Sequence, residues 1–234
     1  MIHLHRIARA ALTLFALTLF SPAAPALAAD TPDSGWRVAT HVAPADAGDR
    51  VHGSATANLS VIIWLDPECP YCKTLGAMPQ RVVDDLGTGV NLVVRLFPLP
   101  FHGQAAVQGS LASLCVGDQA GPDGYYRFLD GWLAATLGNG RGLPGASGHD
   151  DPLGLLAAQS GARDTSALVS CIGNQDTGRR LVQQMQAAEV AGVQGTPAIA
   201  IRDNRNGHTI MEDGAIAEAD LRRAIAFLSS QGAD

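Results

Sequence analysis

The sequence predicts an α/β fold in which a long helical segment interrupts a single sheet, and three observations predict it. An apolar run at 59–65 is followed by a helix-length stretch and a β-rich run at 90–96, the pattern of a parallel strand–helix–strand unit. Five helical stretches then fill roughly 104–190. Near the end, two short strands flank Asn206-Gly207, a strong hairpin signal, and a closing helix follows.

Each element follows from a local signal. The run Leu59–Leu65 has no polar alternation, so we expect a central strand that is buried on both faces. A helix is predicted over Pro70–Leu86, kinked at Pro79 and ended by Gly87 and Gly89. Periodicity and turn residues predict the remaining elements: a strand at Val90–Leu96, helices at Gln104–Val116, Tyr125–Leu137, Pro152–Gln159, Ser166–Ile172 and Thr177–Val190, strands at Ala198–Arg202 and Thr209–Glu212, and a helix at Ala217–Leu228.

The first 28 residues have the pattern of a secretory signal peptide. A basic start precedes an apolar run at Ala10–Phe20, and Ala26-Leu27-Ala28 fits the small-x-small cleavage rule. A membrane anchor is the alternative, but the run is shorter than the ~20 residues that span a bilayer. Residues 29–57 are expected to form a loose polar lead-in with a short strand at Trp36–His41.

Composition limits the possible partners. The chain has 234 residues, of which 47% are hydrophobic and 16% charged, which is typical of a globular protein with a sizeable core. Its formal net charge is −6. An acidic surface argues against nucleic acid and against anionic lipid as partners.

The stretch Cys69-Pro70-Tyr71-Cys72 follows the predicted central strand and opens the next helix. A cysteine at a helix start is favoured as a thiolate by the unpaired backbone N–H groups and the helix dipole. Because a thiolate attacks disulfides and a thiol does not, the position predicts disulfide exchange. The alternatives are a structural disulfide or half of a zinc site, but no second pair of ligands follows at zinc-site spacing.

Four cysteines behind a signal peptide indicate two disulfides in an oxidising compartment. Three pairings are possible, and the Cys-x-x-Cys spacing favours 69–72 together with 115–171. Cys115 and Cys171 have no helix-start motif, so we expect a structural bridge rather than two reactive thiols.

Taken together, the motifs resemble the DsbA-like thiol-disulfide oxidoreductase family. The matching pieces are 66–73, then 95–99 with His102 and Ala105-Ala106, and 192–197, which contains Gly-Thr-Pro. The resemblance implies a thioredoxin-like fold with an inserted all-helical segment: a thioredoxin-like domain over 58–234 and an insertion at about 103–190.

The resemblance also implies roles for individual residues. Cys69 is expected to be the nucleophile that forms a mixed disulfide with a client protein, and Cys72 the resolving thiol. Pro70 and Tyr71 are expected to tune the reduction potential. Thr196 and Pro197 are expected to form the cis-proline loop that pairs with substrate backbone, although a strand-leading proline is the alternative for this motif in isolation.

Some residues depart from the DsbA pattern. The Pro-Tyr dipeptide and Asp66 are similar to active-site features of the DsbC and DsbG isomerases, and Ile63 stands where thioredoxin and DsbA have a buried acid. Asp66 is equally well explained as a turn residue. Glu68 has no assigned role in proton transfer, and Lys73 is expected to be a solvated helix residue.

The sequence therefore predicts a periplasmic, signal-directed protein thiol:disulfide oxidoreductase that exchanges disulfides with cysteine-containing client proteins. We expect no cofactor, no metal, a monomer, and a redox partner that recycles the pair. The alternatives are a DsbC- or DsbG-type isomerase or reductase, a redox-inert chaperone that binds clients, and a metal carrier.

Overall fold

The computed structural model describes residues 31–32, 35–145 and 151–231, so the predicted signal peptide over 1–28 lies outside the described residues. The strands are β1 Arg37–Val38, β2 Val51–Gly53, β3 Leu59–Leu65, β4 Val90–Leu96, β5 Ala198–Asp203 and β6 Thr209–Asp213. The helices are α1 Pro70–Leu75, α2 Met78–Leu86, α3 Gly103–Ala135, α4 Pro152–Gln159, α5 Thr165–Ile172, α6 Gln175–Val190 and α7 Glu218–Gln231.

The strands of the described residues form one sheet in the order β1-β6-β5-β3-β4-β2. Every residue of β3 is buried, and β3 pairs in parallel with β4 and antiparallel with β5. The predicted central strand and the predicted parallel unit are therefore confirmed, as is the α/β fold with a long helical segment between β4 and β5.

The expected loose lead-in is instead part of the sheet. β1 pairs with β6 and β2 pairs with β4, and the strand predicted at Trp36–His41 is reduced to Arg37–Val38. Between these strands the chain is held by the buried Arg95 guanidinium, which donates to Asp49 at 2.8 Å and to the carbonyls of Ala43 and Pro44. The segment between β1 and β2 is therefore polar in composition but ordered, because the buried Arg95 side chain anchors it to the sheet.

The helix predicted over Pro70–Leu86 is two helices, because the chain turns at Gly76, whose φ is +50°. Pro79 therefore does not kink a helix interior. It lies in the first turn of α2, where a missing N–H costs no hydrogen bond. Residues 70–75 are left as a short helix that contains Cys72 and has Cys69 as its N-cap residue.

The two helices predicted at Gln104–Val116 and Tyr125–Leu137 are joined into α3, which bends at Gly121. Gly121 has φ +69° and ψ −168°, and Pro122 follows it. The two predicted helices left residues 117–124 between them unassigned, a stretch that contains three glycines and Pro122. In the structure only Gly121 leaves the helical conformation.

The helical segment is attached to the edge of β4 by three side chains. β2 pairs only with residues 91–93, which leaves the later part of β4 without a strand on that side. The Tyr125 hydroxyl donates to the Val94 carbonyl at 3.0 Å, and the Tyr126 hydroxyl accepts from the Val94 N–H at 3.2 Å. Gln184 accepts from the Leu96 N–H at 2.8 Å. These contacts satisfy backbone groups that would otherwise form an open strand edge.

A disulfide between Cys115 and Cys171 joins α3 to α5, with a Cα–Cα distance of 5.8 Å. It lies in a separate apolar cluster of the insertion that includes Phe128, Trp132 and Leu168. No helix among the described residues is long and apolar enough to cross a bilayer.

Candidate active site

The cysteine pair lies just beyond the carboxyl end of the central strand. Cys69 is the N-cap residue of α1, in an extended conformation, and Cys72 lies in the first turn of that helix. Both are free thiols, and only 4% of Cys69 and none of Cys72 is exposed. A small part of the Cys69 side chain therefore reaches the protein surface, whereas Cys72 is fully enclosed.

The pKa values of the two thiols are shifted in opposite directions. A hydrogen bond from the Cys72 thiol is the main cause that lowers the pKa of Cys69 from 9.0 to about 5, against the opposing effect of burial. The Thr196 hydroxyl and the backbone N–H groups of Cys72 and Tyr71 lower it further. Burial, followed by the interaction with Cys69, raises the pKa of Cys72 well above its ordinary value. At neutral pH these shifts favour the thiolate at Cys69 and the thiol at Cys72.

The peptide bond between Thr196 and Pro197 is cis, and it leads directly into β5. The Sγ of Cys69 lies 3.1 Å from the Thr196 carbonyl oxygen. The structure thus brings Cys69, Cys72, Thr196 and Pro197 together, although more than 120 residues separate Cys72 from Thr196 in the sequence.

Asp66 is fully buried and connects the cysteine loop to the loop after β4. One carboxylate oxygen accepts from the Glu68 N–H at 2.7 Å, which is a turn contact. The other accepts from the Leu99 N–H at 2.7 Å and lies 2.7 Å from Nδ1 of the buried His102. Asp66 therefore forms the turn before Cys69 and also joins this turn to the loop after β4. Nothing in the sequence predicts its contact with His102.

Glu68, directly before Cys69, is also fully buried. Its carboxylate accepts from the Trp132 indole at 2.9 Å, the Thr136 hydroxyl at 2.6 Å and the Gly142 N–H at 3.0 Å. These partners belong to the end of α3 and the loop that follows it. The residue that positions Cys69 is thereby fixed to the helical insertion.

Lys73 lies in α1 and is exposed, as expected of a solvated helix residue, and it also has a specific partner. Its ammonium donates to the Thr136 carbonyl at 2.9 Å, which adds a second tie between α1 and the end of α3. Pro70, by contrast, simply begins α1, where its ring fits the first helical position.

A groove of about 540 Å³ opens beside Cys69. Two strongly exposed aromatic rings stand on it, Tyr71 with 68% and Phe101 with 77% of their surface accessible. Leu99, Asn139 and Thr196 also line it. The sequence did not single out Phe101 or Asn139, because an exposed ring and a loop amide carry no local motif.

No group of three or more His, Cys, Asp or Glu side chains in the part of the chain that the structure describes is arranged to hold a metal ion.

Comparisons with known proteins agree with this geometry. The family model described as thioredoxin matches residues 45–226. No curated protein matches the chain. Among solved structures, DsbA2 of Pseudomonas aeruginosa is 30% identical, and the match covers 82% of this chain and 99% of that one, with a TM-score of 0.68.

Two further structures share the fold at lower identity. A thioredoxin-like oxidoreductase from Silicibacter pomeroyi DSS-3 is 22% identical over 81% of this chain and 95% of that one, with a TM-score of 0.62. A periplasmic thioredoxin-like protein from Salmonella enterica serovar Typhimurium is 22% identical over 79% and 92%, with a TM-score of 0.60. The family model and the DsbA2 match show that this chain belongs to the DsbA-like thiol-disulfide oxidoreductases of the thioredoxin family.

Proposed function

We propose that the protein exchanges disulfides with client proteins in the periplasm through the Cys69–Cys72 pair. The observation that carries the proposal is the asymmetry of the pair: a Cys69 thiol with its pKa lowered to about 5 beside a buried Cys72 whose pKa is raised. The two steps of exchange require a nucleophile that is ionised at neutral pH and a protonated partner close to it, and here the partner lies three residues away.

In the oxidising direction, a client thiolate attacks the Cys69 sulfur of the Cys69–Cys72 disulfide. The bond between the two protein sulfurs breaks, and Cys72 leaves and takes up a proton, because its pKa is high. A second client thiolate then attacks the client sulfur of the mixed disulfide, and Cys69 leaves as a thiolate. The client loses two electrons and the pair gains them.

The same asymmetry favours disulfide donation. Stabilising the Cys69 thiolate stabilises the dithiol form relative to the disulfide, and a stabilised dithiol form makes a pair oxidising. Pro70 and Tyr71, between the cysteines, are the side chains proposed to set the size of this effect. A separate redox partner must then reoxidise the pair, since each client leaves it reduced.

The groove beside Cys69 is the proposed binding place for clients. Its exposed Tyr71 and Phe101 rings offer apolar contact, and the Thr196 backbone stands beside the reactive sulfur. In our proposal Thr196 pairs with the backbone of the client, the Cys115–Cys171 bridge is structural, and the protein acts as a monomer without a cofactor or metal. The expected signal peptide and the periplasmic relative from Salmonella support export.

Oxidation of reduced, unfolded ribonuclease A by the oxidised protein tests the proposal. We expect disulfides to form in the ribonuclease at a rate that Cys69→Ser abolishes. Cys72→Ser has no disulfide of its own to donate, and we expect it to accumulate a mixed disulfide when its Cys69 thiolate attacks a disulfide that the ribonuclease already contains. Ribonuclease with scrambled disulfides serves as a second substrate. Faster recovery from the scrambled form than from the reduced form would replace the oxidase by the isomerase alternative. No Cys69-dependent reaction with either substrate would contradict exchange and favour a redox-inert chaperone.

A further inference from the structure

The loop that follows α3 has an unusual backbone beside the groove. In Gly138–Gly142, Gly138, Asn139 and Gly140 have φ values of +71°, +53° and +79°. Among the described residues Asn139 is the single residue other than glycine with positive φ. Glycine is the residue that most often adopts this conformation, but asparagine tolerates it better than most other residues do. Position 139 therefore has a carboxamide side chain in a backbone conformation that is usual for glycine.

This loop is fixed on two sides to the residues that surround Cys69. The Asn139 N–H donates to the Glu68 carbonyl at 2.8 Å, and the Gly142 N–H donates to the Glu68 carboxylate. On the other side, Gly140 packs so closely on the His102 backbone that an added Cβ would lie 2.7 Å from the His102 carbonyl oxygen. The position of residue 139 is therefore set by the residue directly before the reactive cysteine.

The Asn139 side chain is exposed and lines the same groove as Cys69 and Thr196. It makes no hydrogen bond to any residue in 31–32, 35–145 or 151–231, in contrast to the backbone around it. A carboxamide presents two donors and one acceptor, which is the complement of an exposed peptide group.

We propose that Asn139 is a specificity-determining residue, whose carboxamide hydrogen-bonds to the peptide backbone of a client segment bound in the groove with its cysteine at Cys69. The inference rests on the proposed function. A segment covered by Tyr71, Leu99 and Phe101 loses water from its backbone N–H and C=O groups, and those groups need new partners. Asn139 supplies one, at a place that its fixed backbone defines.

The first test compares two substrates of the oxidised protein: a ten-residue peptide that contains two cysteines among glycine, serine and valine, and dithiothreitol, which has no peptide backbone. Asn139→Gly keeps the positive φ and removes the carboxamide. We expect the ratio of the peptide rate to the dithiothreitol rate to fall about fivefold, the effect of one lost hydrogen bond. An unchanged ratio would overturn the inference.

A second test separates a backbone contact from a side-chain contact. Single ester replacements of the peptide bonds near the cysteine, made one at a time in the same peptide, each remove one N–H. At one replacement, the unmodified protein should lose rate and Asn139→Gly should lose none, because the variant has no contact left to lose. Equal losses in both proteins at every replacement would show that the carboxamide does not bind the backbone.

The outcomes distinguish this inference from the proposed function. If the unmodified protein oxidises neither the peptide nor dithiothreitol, disulfide exchange itself fails, and the inference fails with it. If it oxidises both and Asn139→Gly keeps the same ratio, exchange stands and the role of Asn139 is wrong.

Discussion

At the scale of single residues, the proposed chemistry depends on two cysteines at the start of one short helix, and the two differ in environment. Cys69 stands at the N-cap, where the Cys72 thiol, the Thr196 hydroxyl and two backbone N–H groups all favour its charged form. Cys72 is fully enclosed, and burial favours its neutral form. The proposed nucleophile, Cys69, thus lies only three positions before Cys72, a thiol that stays protonated.

Alkylation of the dithiol protein by iodoacetamide measures this difference. Because the thiolate reacts and the thiol does not, we expect the rate at Cys69 to rise with pH to half its maximum at about pH 5. Cys72→Ala, which removes the main hydrogen bond to the thiolate, should shift the midpoint upward. A midpoint near 9 in the unmodified protein would contradict the description of the site.

The same pKa shift has a consequence for stability in the dithiol form. Between pH 5 and pH 9 the folded protein binds fewer protons at Cys69 than the unfolded chain does, so this contribution to stability grows as pH rises across that range. It is lost as pH falls through 5. The difference in unfolding free energy between the dithiol protein and Cys69→Ser should therefore increase from pH 5 to pH 8, and a constant difference would contradict the shift.

The residues proposed to carry the chemistry could be predicted from the sequence, and most of the contacts that hold them in place could not. Cys69 and Cys72 have a motif, and so do Thr196 and Pro197. The sequence indicates only the turn contact of Asp66 and no contact of the Glu68 carboxylate, because their other partners lie 33 to 74 positions away. A buried carboxylate is recognisable only when the fold has brought its donors together.

At the scale of elements, glycine explains where the prediction differed from the structure. Gly76 and Gly121 both have positive φ, but the first ends a helix and the second bends one. The sequence shows that glycine is present and not which conformation it adopts. α3 packs on α4 and α5 and stays helical at its other glycines.

Substitution of Gly121 tests the bend separately from packing. A Cβ added there meets no atom within 4 Å, so Gly121→Ala changes only the backbone preference. We expect a loss of about 2 kcal/mol in unfolding free energy, measured by urea denaturation, because residues with side chains rarely adopt this φ and ψ. Gly178→Ala in α6 is the matched control, with equally open space and no positive φ, and it should be neutral or slightly stabilising. Equal effects of the two substitutions would contradict this explanation of the bend.

At the scale of the whole molecule, the helical insertion is joined to the sheet by side chains and closed internally by a covalent bond. The Cys115–Cys171 disulfide spans a sequence separation of 56 residues, in a cluster away from Cys69. Cys115→Ser/Cys171→Ser should lower the unfolding free energy by about 4 kcal/mol, from the entropy of the opened loop. Denaturant titration measures the loss, and alkylation of Cys69 is the control. Abolished Cys69 reactivity would contradict a purely structural bridge.

Cys69 and Cys72 are proposed to form a redox-active pair. Equilibration with glutathione buffers, followed by trapping of free thiols, measures whether they do. We expect a single two-electron transition that is absent in Cys69→Ser, with a potential closer to about −120 mV than to about −270 mV, because the Cys69 thiolate stabilises the dithiol form. A potential near the lower value would contradict the expected disulfide donor, and no Cys69-dependent transition would contradict the exchange mechanism itself.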